Sequence, residues 1–499
     1  MEPLDARTIP DLVRAGAAHY RRREAVVDGD VRLTYADLGA EVARCAEALA
    51  ARGVGKGDRV ALWAPNGWRW IVAALGIVSA GGVLVPLNTR YKGPEAAYIL
   101  ARSGARLLLV DDGFLGNRYI ASLAGAAAET PTPALTDIVT FAEWDRFMAV
   151  GKGVDAVVYP DDLADLFFTS GTTGRPKGAM LTHRQSTELY VTWSELAQVR
   201  EGDRYLLVNP CFNTFGYKAG VIACLLRGAT IVPQAVFDVP TTLDLVQRER
   251  ITVLPGPPTL YTSMLDHPAR AAYDLSSLRV AITGATTVPV VMIERLRAEL
   301  RLETVLTAYG LTESCGTATM CRPDDDPKTV ATTCGAAVPG VEVRIDETSG
   351  EVLIRGYNIM RGYFDDDAST ADAVDTEGWL HTGDVGELDE RGYLRITDRL
   401  KDMFIVGGFN AYPAEIEQVL ARHPYVAEVA VIGVPDARLG EVARAFVVPR
   451  PGSVFSSDDL ARFCRERLAN FKLPRSFVFL DALPRNASGK VLKTTLRSR

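Results

Sequence analysis

A dense group of hydroxyls, glycines and cations follows a short apolar run in the chain. The run ends at Phe168, and residues 169–177 read Thr-Ser-Gly-Thr-Thr-Gly-Arg-Pro-Lys. Backbone N–H groups, hydroxyls and a cation gathered in one turn suit a polyphosphate. The pattern differs from the Walker motif, because Lys177 is followed by Gly178 rather than by Ser or Thr. The residues expected to hold phosphate are Thr169, Ser170, Gly171, Thr172, Thr173, Gly174 and Lys177, and Arg175 adds charge.

The alternative is that residues 169–177 form a solvent-exposed loop that binds no ligand. The rest of the chain helps to decide between a phosphate-binding loop and this alternative. The run resembles the phosphate loop of the adenylate-forming superfamily, which contains acyl- and aryl-CoA synthetases, peptide-synthetase adenylation domains and luciferases. This resemblance implies further motifs in a fixed order, and they are present along nearly the whole chain. They are 308–313 (Ala-Tyr-Gly-Leu-Thr-Glu), 379–384 (Trp-Leu-His-Thr-Gly-Asp), 398–402 (Asp-Arg-Leu-Lys-Asp) and 484–490 (Pro-Arg-Asn-Ala-Ser-Gly-Lys).

A narrower resemblance lies within the superfamily. Several stretches are similar to actinobacterial CoA ligases that activate the propanoate side chain of a steroid-derived indanedione. These stretches are 209–210, 215–220, 253–258 and 266–270.

The resemblance assigns roles in ATP binding. Glu313, with Thr312, is the expected Mg²⁺ ligand, and carboxylate, hydroxyl and phosphate oxygens suit that cation. Tyr309 would stack on adenine, although a buried core tyrosine fits the local pattern nearly as well. Asp384 would accept from the ribose hydroxyls, unless it is only a turn residue. Further nucleotide contacts are expected from Gly284, Ala285, Thr286 and Gly310, and from Arg399 at the ribose or phosphate.

The resemblance also assigns roles near the C-terminus. Lys490 would bridge the acid carboxylate and the α-phosphate, although a lysine so near the terminus is ordinarily solvated. Lys401 matches the hinge about which the small domain rotates between the two half-reactions. Gly407 and Gly408 would then line a tunnel for the pantetheine arm of CoA, with a simple loop as the alternative.

The acid-binding region departs from the family pattern at Asn213. Many CoA ligases have a histidine at this place, facing the carboxylate, whereas Asn forms hydrogen bonds without carrying charge. Lys218 is expected either to pair with a substrate charge or to lie on the surface. The expected pocket residues are Asn213, Thr214, Phe215, Gly216, Lys218, Ala308, Ser314, Cys315 and Gly316.

Composition restricts the class of protein. With 499 residues, 47% of them hydrophobic, the chain can form a large core divided into more than one domain. A net charge of −7 without a long basic run argues against nucleic acid as a partner. Residues 1–10 lack an apolar signal region, and the apolar stretch 70–85 is too short to span a bilayer. Seven scattered cysteines indicate free thiols, so we expect a cytoplasmic location.

The spacing of apolar runs predicts an α/β fold. Short strands, such as 59–63, 107–110, 164–168 and 253–255, alternate with helical patterns, which is typical of parallel sheets whose ligands lie beyond the carboxyl ends of the strands. Strands near 341–345, 351–355 and 393–396 predict a small β subdomain. The pattern of strands and helices changes after residues 398–401. We therefore expect a large N-terminal domain at 1–400 and a small, mobile α+β domain at 401–499.

These features predict an ATP-dependent carboxylic acid–CoA ligase. A carboxylate is a poor acyl donor, and attack on the α-phosphorus of ATP converts it into an acyl-adenylate, which a thiol can then cleave. ATP, Mg²⁺ and CoA are the expected cofactors and co-substrates, and a homodimer is left open. One alternative keeps the adenylate but changes the acid or acceptor, as in carrier-protein acylation or nitrite adenylation. A non-catalytic nucleotide-binding protein is disfavoured, because Lys490, Glu313 and Asp384 are all present.

Overall fold

The protein is described from a computed structural model. The described residues are 3–151, 153–154, 156–169, 176–284, 290–399, 402, 404–406, 409–411, 413–436, 439–465, 468, 470–486 and 491–498.

The chain divides into two compact units. The first contains Met1–Val343 and Ile354–Leu380, and the second contains Arg344–Leu353 and His381–Arg499. This division falls near residue 380, whereas the sequence predicted a domain boundary at residue 400. The strands on either side of residue 390 belong to the second unit because they pair with each other within it. The boundary at 400 stays a prediction for the functional hinge.

Two largely parallel sheets form the framework of the first unit. The first sheet has the order β15-β14-β13-β12-β11-β9-β10-β1-β2 and the second has the order β6-β5-β3-β4-β7-β8. The strands are β1 (Glu24–Asp28), β2 (Val31–Thr34), β3 (Arg59–Trp63), β4 (Val83–Pro86), β5 (Leu107–Val110), β6 (Asp137–Thr140), β7 (Leu163–Thr169), β8 (Lys177–Thr182), β9 (Arg204–Leu207), β10 (Thr230–Pro233), β11 (Val253–Pro255), β12 (Val280–Gly284), β13 (Thr304–Tyr309), β14 (Thr319–Met320) and β15 (Ala336–Ala337).

Helices connect these strands. They are α1 (Ile9–His19), α2 (Tyr35–Ala51), α3 (Trp68–Ser79), α4 (Gly93–Ser103), α5 (Tyr119–Ala126), α6 (Trp144–Met148), α7 (His183–Leu196), α8 (Thr214–Gly216), α9 (Ala223–Arg227), α10 (Val239–Arg248), α11 (Pro258–Leu265), α12 (Val290–Glu299), α13 (Pro327–Thr332) and α14 (Asp367–Ala373). A π-helix, Tyr217–Ile222, lies between α8 and α9. Helices of this kind are rare and are often found at functional sites.

Sequence chemistry explains these elements. The strands β4, β5, β10 and β11 are apolar runs that are buried along their whole length, as expected for parallel strands covered on both faces. Thr34 and Asp37 form a reciprocal capping box at the start of α2. The predicted α/β class is confirmed, and several predicted strands match the observed bounds. Among the described residues, no helix is both long and apolar enough to cross a membrane.

The strands after residue 340 form two smaller sheets, the first of which contains the strands of the predicted β subdomain. A sheet in the order β16-β17-β18-β19 contains β16 (Val341–Ile345), β17 (Glu351–Gly356), β18 (Leu380–Leu388) and β19 (Leu394–Arg399). The next sheet has the order β21-β20-β23-β22, with β24 beside β23. Its strands are β20 (Phe404–Val406), β21 (Phe409–Ala411), β22 (Val426–Asp436), β23 (Gly440–Pro449) and β24 (Ser476–Phe479), and the helices are α15 (Pro413–Ala421), α16 (Ser457–Arg465) and α17 (Lys493–Arg497).

Candidate active site

A carboxylate with two hydroxyl donors lies where the two parallel sheets of the first unit meet. Thr169, the last residue of β7, donates its hydroxyl to Oε1 of Glu313 across 3.1 Å. The hydroxyl of Tyr363 donates to the same oxygen at 2.9 Å. Two donors on one oxygen fix the orientation of the carboxylate. The structure thus brings together two predicted residues and adds Tyr363, which no spacing pattern in the sequence connects to the others.

Lys177 lies beside this cluster. It begins β8 and is paired with Thr169 across the antiparallel β7–β8 ladder. Its Nζ is 5.2 Å from the centre of the Tyr363 ring, within cation–π range. Burial and the charge of Glu313 together raise the pKa of Tyr363, so its hydroxyl remains a donor at neutral pH. A cation, two hydroxyls and a carboxylate therefore surround the point where the expected phosphate loop leaves β7.

The expected nucleotide side is formed by the carboxyl ends of β12 and β13. Gly284 is the register partner of Ala308 in this parallel pair. A Cβ on Gly284 would lie 2.6 Å from the carbonyl oxygen of Ala308, so a larger residue does not fit. Tyr309 ends β13 and is only partly buried, unlike a core tyrosine. A Cβ on Gly310 would lie 2.6 Å from the Gly316 oxygen, so this glycine serves close backbone packing.

The expected acid-binding segment follows β9. Asn213 is exposed and precedes α8, which contains Thr214, Phe215 and Gly216. Asn66, a buried residue far away in the chain, holds the backbone just before this segment. Its Nδ2 donates to the carbonyls of Leu207 and Asn209 at 3.0 Å each, and its Oδ1 accepts from the N–H of Cys211 at 2.8 Å. Sequence reasoning missed Asn66, because a single asparagine after an apolar strand gives no distinctive signal.

A second expected pocket segment follows the 3₁₀ turn Thr312–Ser314. Ser314 and Cys315 are buried, and Cys315 adopts a left-handed conformation with φ of 55°. Gly316 has φ of 97°, and a Cβ there would lie 2.7 Å from the Tyr190 hydroxyl and 3.0 Å from Oγ1 of Thr214. Thr214 and Gly316 are therefore neighbours, as expected for residues of one pocket.

A buried amide also supports this segment. Nδ2 of Asn358 donates to the carbonyl of Thr317 at 2.9 Å and to that of Ser314 at 3.3 Å. Asn358 is fully buried and follows β17 closely in the chain. The sequence contains no motif that connects it with residues 312–317.

Lys218 occupies a different place from the one predicted. Its side chain is 0% exposed and forms an ion pair with Asp165 of β7, whose side chain is also 0% exposed. Its Nζ lies 2.5 Å from Oγ of Ser186 as well. The surface alternative is therefore wrong, and the charge that Lys218 meets is a carboxylate of the protein. A lysine followed directly by the apolar run 219–226 was the sequence signal for burial.

Asp384 belongs to the second unit. It is buried in β18, where it is the register partner of Arg399. The turn before it is held by Glu351, whose Oε1 accepts from the N–H of Gly383 at 2.7 Å. Gly383 has φ of 69°, a conformation that favours glycine. Asp384 is therefore presented from a hydrogen-bonded strand and turn.

Several predicted residues cannot be placed. These lie outside the described residues: Ser170, Gly171, Thr172, Thr173, Gly174, Arg175, Ala285, Thr286, Lys401, Gly407, Gly408 and Lys490. The side chain of Arg399 is outside them as well, although its backbone is described.

The chain matches known protein families over most of its length. Residues 13–364 match the family of AMP-binding enzymes, and residues 415–490 match the AMP-binding enzyme C-terminal domain. The chain is 54% identical, over 98% of both chains, to a 3-[(3aS,4S,7aS)-7a-methyl-1,5-dioxo-octahydro-1H-inden-4-yl]propanoyl:CoA ligase of Rhodococcus jostii (strain RHA1). It is 53% identical, over 99% of both chains, to a ligase of the same name from Mycobacterium tuberculosis (strain ATCC 25618 / H37Rv).

A solved structure extends the likeness to three dimensions. The o-succinylbenzoate coenzyme A synthetase of Bacillus subtilis, in complex with ATP and a magnesium ion, superposes with a TM-score of 0.85. It is 31% identical to this chain and covers 97% of it, with 98% of its own chain covered. The resemblance to the adenylate-forming superfamily is confirmed, and so is the narrower likeness to ligases of the indanedione propanoate. The chain belongs to the AMP-binding enzyme family and is an ATP-dependent acid–thiol ligase of the acyl-CoA synthetase type.

Proposed function

We propose that this ligase joins a carboxylic acid to coenzyme A in two steps at the site around Glu313. In the first, an oxygen of the acid carboxylate bonds to the α-phosphorus of ATP, and pyrophosphate leaves. In the second, the thiol of CoA attacks the acyl carbon, a thioester forms, and AMP leaves with the electron pair of the broken C–O bond. The observation that carries this proposal is the contact of Thr169 and Tyr363 with Glu313 at the end of β7.

The donor set around Glu313 fits a magnesium ion. Mg²⁺ is held by one or two carboxylates together with substrate phosphates. Glu313 would supply the carboxylate and Thr312 a neighbouring hydroxyl, while Thr169 and Tyr363 keep the carboxylate oriented. When bound, the ion would neutralise phosphate charge. Lys177 would add a fixed positive charge on the same side.

The acid that we propose is a propanoate carried on a fused, ketone-bearing ring system. Two relatives that match almost the whole chain carry this substrate in their names. Asn213 and Thr214 offer neutral hydrogen-bonding groups in the expected acid segment, which suits a carboxylate and ketones without adding charge. Gly316 lies against Thr214, so the two pocket segments would enclose the acid together.

The remaining roles follow the family resemblance. Tyr309 would stack on adenine with Gly284 and Gly310 beside it, together with Ala285 and Thr286. Asp384 and Arg399 would contact the ribose or phosphate. Lys490 would bridge the carboxylate and the α-phosphate in the first step, and rotation about Lys401 would bring Gly407 and Gly408 to the pantetheine arm for the second.

We also propose a cytoplasmic location. ATP and CoA are cytoplasmic metabolites, and all seven cysteines are free thiols, six of them buried. A homodimer is the assembly to be tested by light scattering of the purified protein.

The test is acid-dependent release of pyrophosphate and AMP from ATP. The purified protein is supplied with ATP, Mg²⁺ and one acid from a panel of short-chain, aryl and fused-ring propanoic acids, with and without CoA. We expect pyrophosphate release to require an acid, to be fastest with the fused-ring propanoate, and to be followed by AMP and thioester only with CoA. Equal rates for all acids would contradict the proposal that the preferred acid is a fused-ring propanoate. Thioester formation only with a carrier protein, or turnover only with nitrite and an aryl amine, would favour the alternative acceptors.

A further inference from the structure

A fully buried ion pair joins two elements that lead to the proposed active site. Lys218 is the second residue of the π-helix Tyr217–Ile222, and Asp165 is the third residue of β7. Both side chains are 0% exposed. The ammonium of Lys218 contacts Oδ2 of Asp165, and it also contacts Oγ of Ser186 at 2.5 Å. The pair connects a strand of one sheet, the first turn of α7 and the π-helix.

Stability alone does not account for this pair. Removing two charges from water is costly, and an apolar pair of similar volume is often as stable or more so. Burial raises the pKa of Asp165 although the Lys218 ammonium opposes the shift, which reflects that cost. The Oδ1 atom of Asp165 is buried without a hydrogen-bond partner among the described residues. The pair therefore provides fixed geometry rather than optimal satisfaction of polar groups.

The elements that meet at the pair carry the proposed reactive groups. Asp165 and Thr169 lie in the same strand, β7. On the other side, Asn213 accepts from the N–H of Tyr217 at 3.0 Å, which joins the acid segment directly to the turn that holds Lys218. The pair therefore links the strand that ends at Thr169 with the helical turn that follows the proposed acid segment.

The third pocket segment is tied to the same cluster through α7. Ser186 and Tyr190 lie one turn apart on this helix, and the Tyr190 hydroxyl donates to the carbonyl of Cys315 at 3.0 Å. The left-handed turn at Cys315 and Gly316 leads back to Glu313. The buried pair is thus the point where three segments of the proposed site are joined.

We propose that Lys218 and Asp165 are positioning residues for the acid: they hold residues 213–218 at a fixed distance from Thr169 and Glu313, so that the carboxylate of the acid is aligned for attack on the α-phosphorus. This inference rests on the proposed function. Neither side chain contacts the substrate. The pair acts mainly on the acid, because Lys218 directly follows the acid segment, whereas Thr169 on the ATP side is also held by the antiparallel pairing of β7 with β8.

The test uses a variant in which both charges are removed together. Lys218→Met and Asp165→Val are made singly and combined, and each protein is assayed for acid-dependent pyrophosphate release. Each single variant leaves an uncompensated buried charge and should be strongly destabilised, whereas the double variant should recover most of the thermal stability. We expect the double variant to raise KM for the acid about tenfold or more and to lower kcat, with KM for ATP nearly unchanged, because small misplacements of a reactant are costly.

A matched control is the nearly buried ion pair of Arg279 and Asp203. Their side chains are 11% and 7% exposed, and Nη2 of Arg279 lies 2.6 Å from Oδ2 of Asp203, at the amino ends of the strands and away from the site. Arg279→Met combined with Asp203→Asn should lower stability without changing KM for the acid.

If the Lys218 and Asp165 double variant does not fold, Ser186→Ala tests the proposal instead, since it keeps both charges and removes one contact of Lys218. It should raise KM for the acid severalfold.

Each outcome decides the matter. Wild-type KM and kcat in the double variant, or in Ser186→Ala when the double variant does not fold, would overturn the inference and leave the proposed function intact. A similar rise in KM for the acid in the Arg279 and Asp203 control would also overturn it, because the effect would then be one of stability. If wild-type protein released no pyrophosphate with any acid, the proposed function itself would fail, and the inference with it.

Discussion

Thr169 donates its hydroxyl to Glu313 across 3.1 Å, although 144 positions separate the two residues in the chain. Thr169 ends a strand of one sheet, and Glu313 follows the last parallel strand of the other. The contact therefore joins the two sheets of the first unit at the point where the expected phosphate loop begins.

Glu313→Gln should abolish most of the activity. The amide is nearly isosteric with the carboxylate but carries no charge, so it is a poor ligand for Mg²⁺. We expect acid-dependent pyrophosphate release to fall about 100-fold or more, as for the loss of other charge-stabilising groups, while thermal stability changes little. Glu294→Gln, at an exposed position of α12, is the matched control and should keep wild-type activity. Wild-type rates in Glu313→Gln at all Mg²⁺ concentrations would contradict the proposed role.

Tyr363→Phe should have a smaller effect than Glu313→Gln. It removes one hydrogen bond to a carboxylate oxygen and leaves the charge in place. Since a hydrogen bond to a charged group contributes about 1.5–3 kcal/mol, we expect kcat/KM for Mg-ATP to fall roughly tenfold to a hundredfold. Tyr159→Phe removes an exposed hydroxyl and should have no effect. If Tyr363→Phe kept the wild-type kcat/KM for Mg-ATP, Thr169 alone would be sufficient to orient Glu313.

Gly316→Ala should impair acid binding and stability together. A non-glycine residue at positive φ costs about 1–2 kcal/mol, and at this position the new Cβ would also lie 2.7 Å from the Tyr190 hydroxyl. Gly392→Ala separates backbone strain from crowding. Its φ is also positive, at 78°, but no atom lies within 4 Å of the place that a Cβ would occupy. Unfolding midpoints and KM for the acid are the measurements. Equal effects of the two substitutions would mean that crowding against Tyr190 and Thr214 is unimportant.

His183 should make the protein less stable in mild acid. Burial, with the Lys218 ammonium nearby, lowers the pKa of His183 to about 3. Below its unfolded value of about 6.5 the unfolded chain binds a proton that the folded chain does not, so stability falls by up to about 1.4 kcal/mol per pH unit between these two values. His183→Gln should flatten the dependence of the urea midpoint on pH between 7 and 5, whereas His19→Gln, at an exposed position, should keep it. Parallel curves for wild type and His183→Gln would rule out this contribution.

Lys401→Pro should separate the two half-reactions. Proline restricts φ, so rotation at the proposed hinge would be hindered. We expect acid-dependent ATP–pyrophosphate exchange to be preserved and thioester formation to slow. Lys490→Ala should show the opposite selectivity and lose most of the exchange. Equal loss of both half-reactions in Lys401→Pro, or wild-type exchange in Lys490→Ala, would contradict these assignments.

Local patterns in the sequence predicted much of the framework. Short apolar runs with defined ends gave the observed bounds at Arg59–Trp63, Leu107–Val110 and Val253–Pro255. The full length of β22, Val426–Asp436, could not be read from its apolar run, because backbone pairing with β23 continues through Gly433, Pro435 and Asp436. The ordered motifs led to Thr169 and Glu313, because each is part of a contiguous pattern.

The supporting residues could not be predicted in this way. Tyr363 reaches Glu313 from 50 positions away, and only the folded chain brings the two together. Asn66 and Asn358 form hydrogen bonds with backbone groups. Every residue has such groups, so the residues that Asn66 and Asn358 contact cannot be recognised from their side chains. Lys218 was predicted to meet a substrate charge or to lie on the surface, and nothing in the apolar runs around Lys218 and Asp165 identified either residue as the partner of the other.

The two buried asparagines have a consequence for how this enzyme can acquire new substrates. Asn66 fixes the main chain just before the acid segment, and Asn358 fixes the main chain at 314 and 317. Both use only backbone partners, so neither depends on which side chains the two segments carry. The exposed side chain at Asn213 can therefore be exchanged without loss of these backbone contacts. Substitutions in the acid segment can therefore change acid selectivity while the backbone keeps its position, provided that Asn66 and Asn358 are retained.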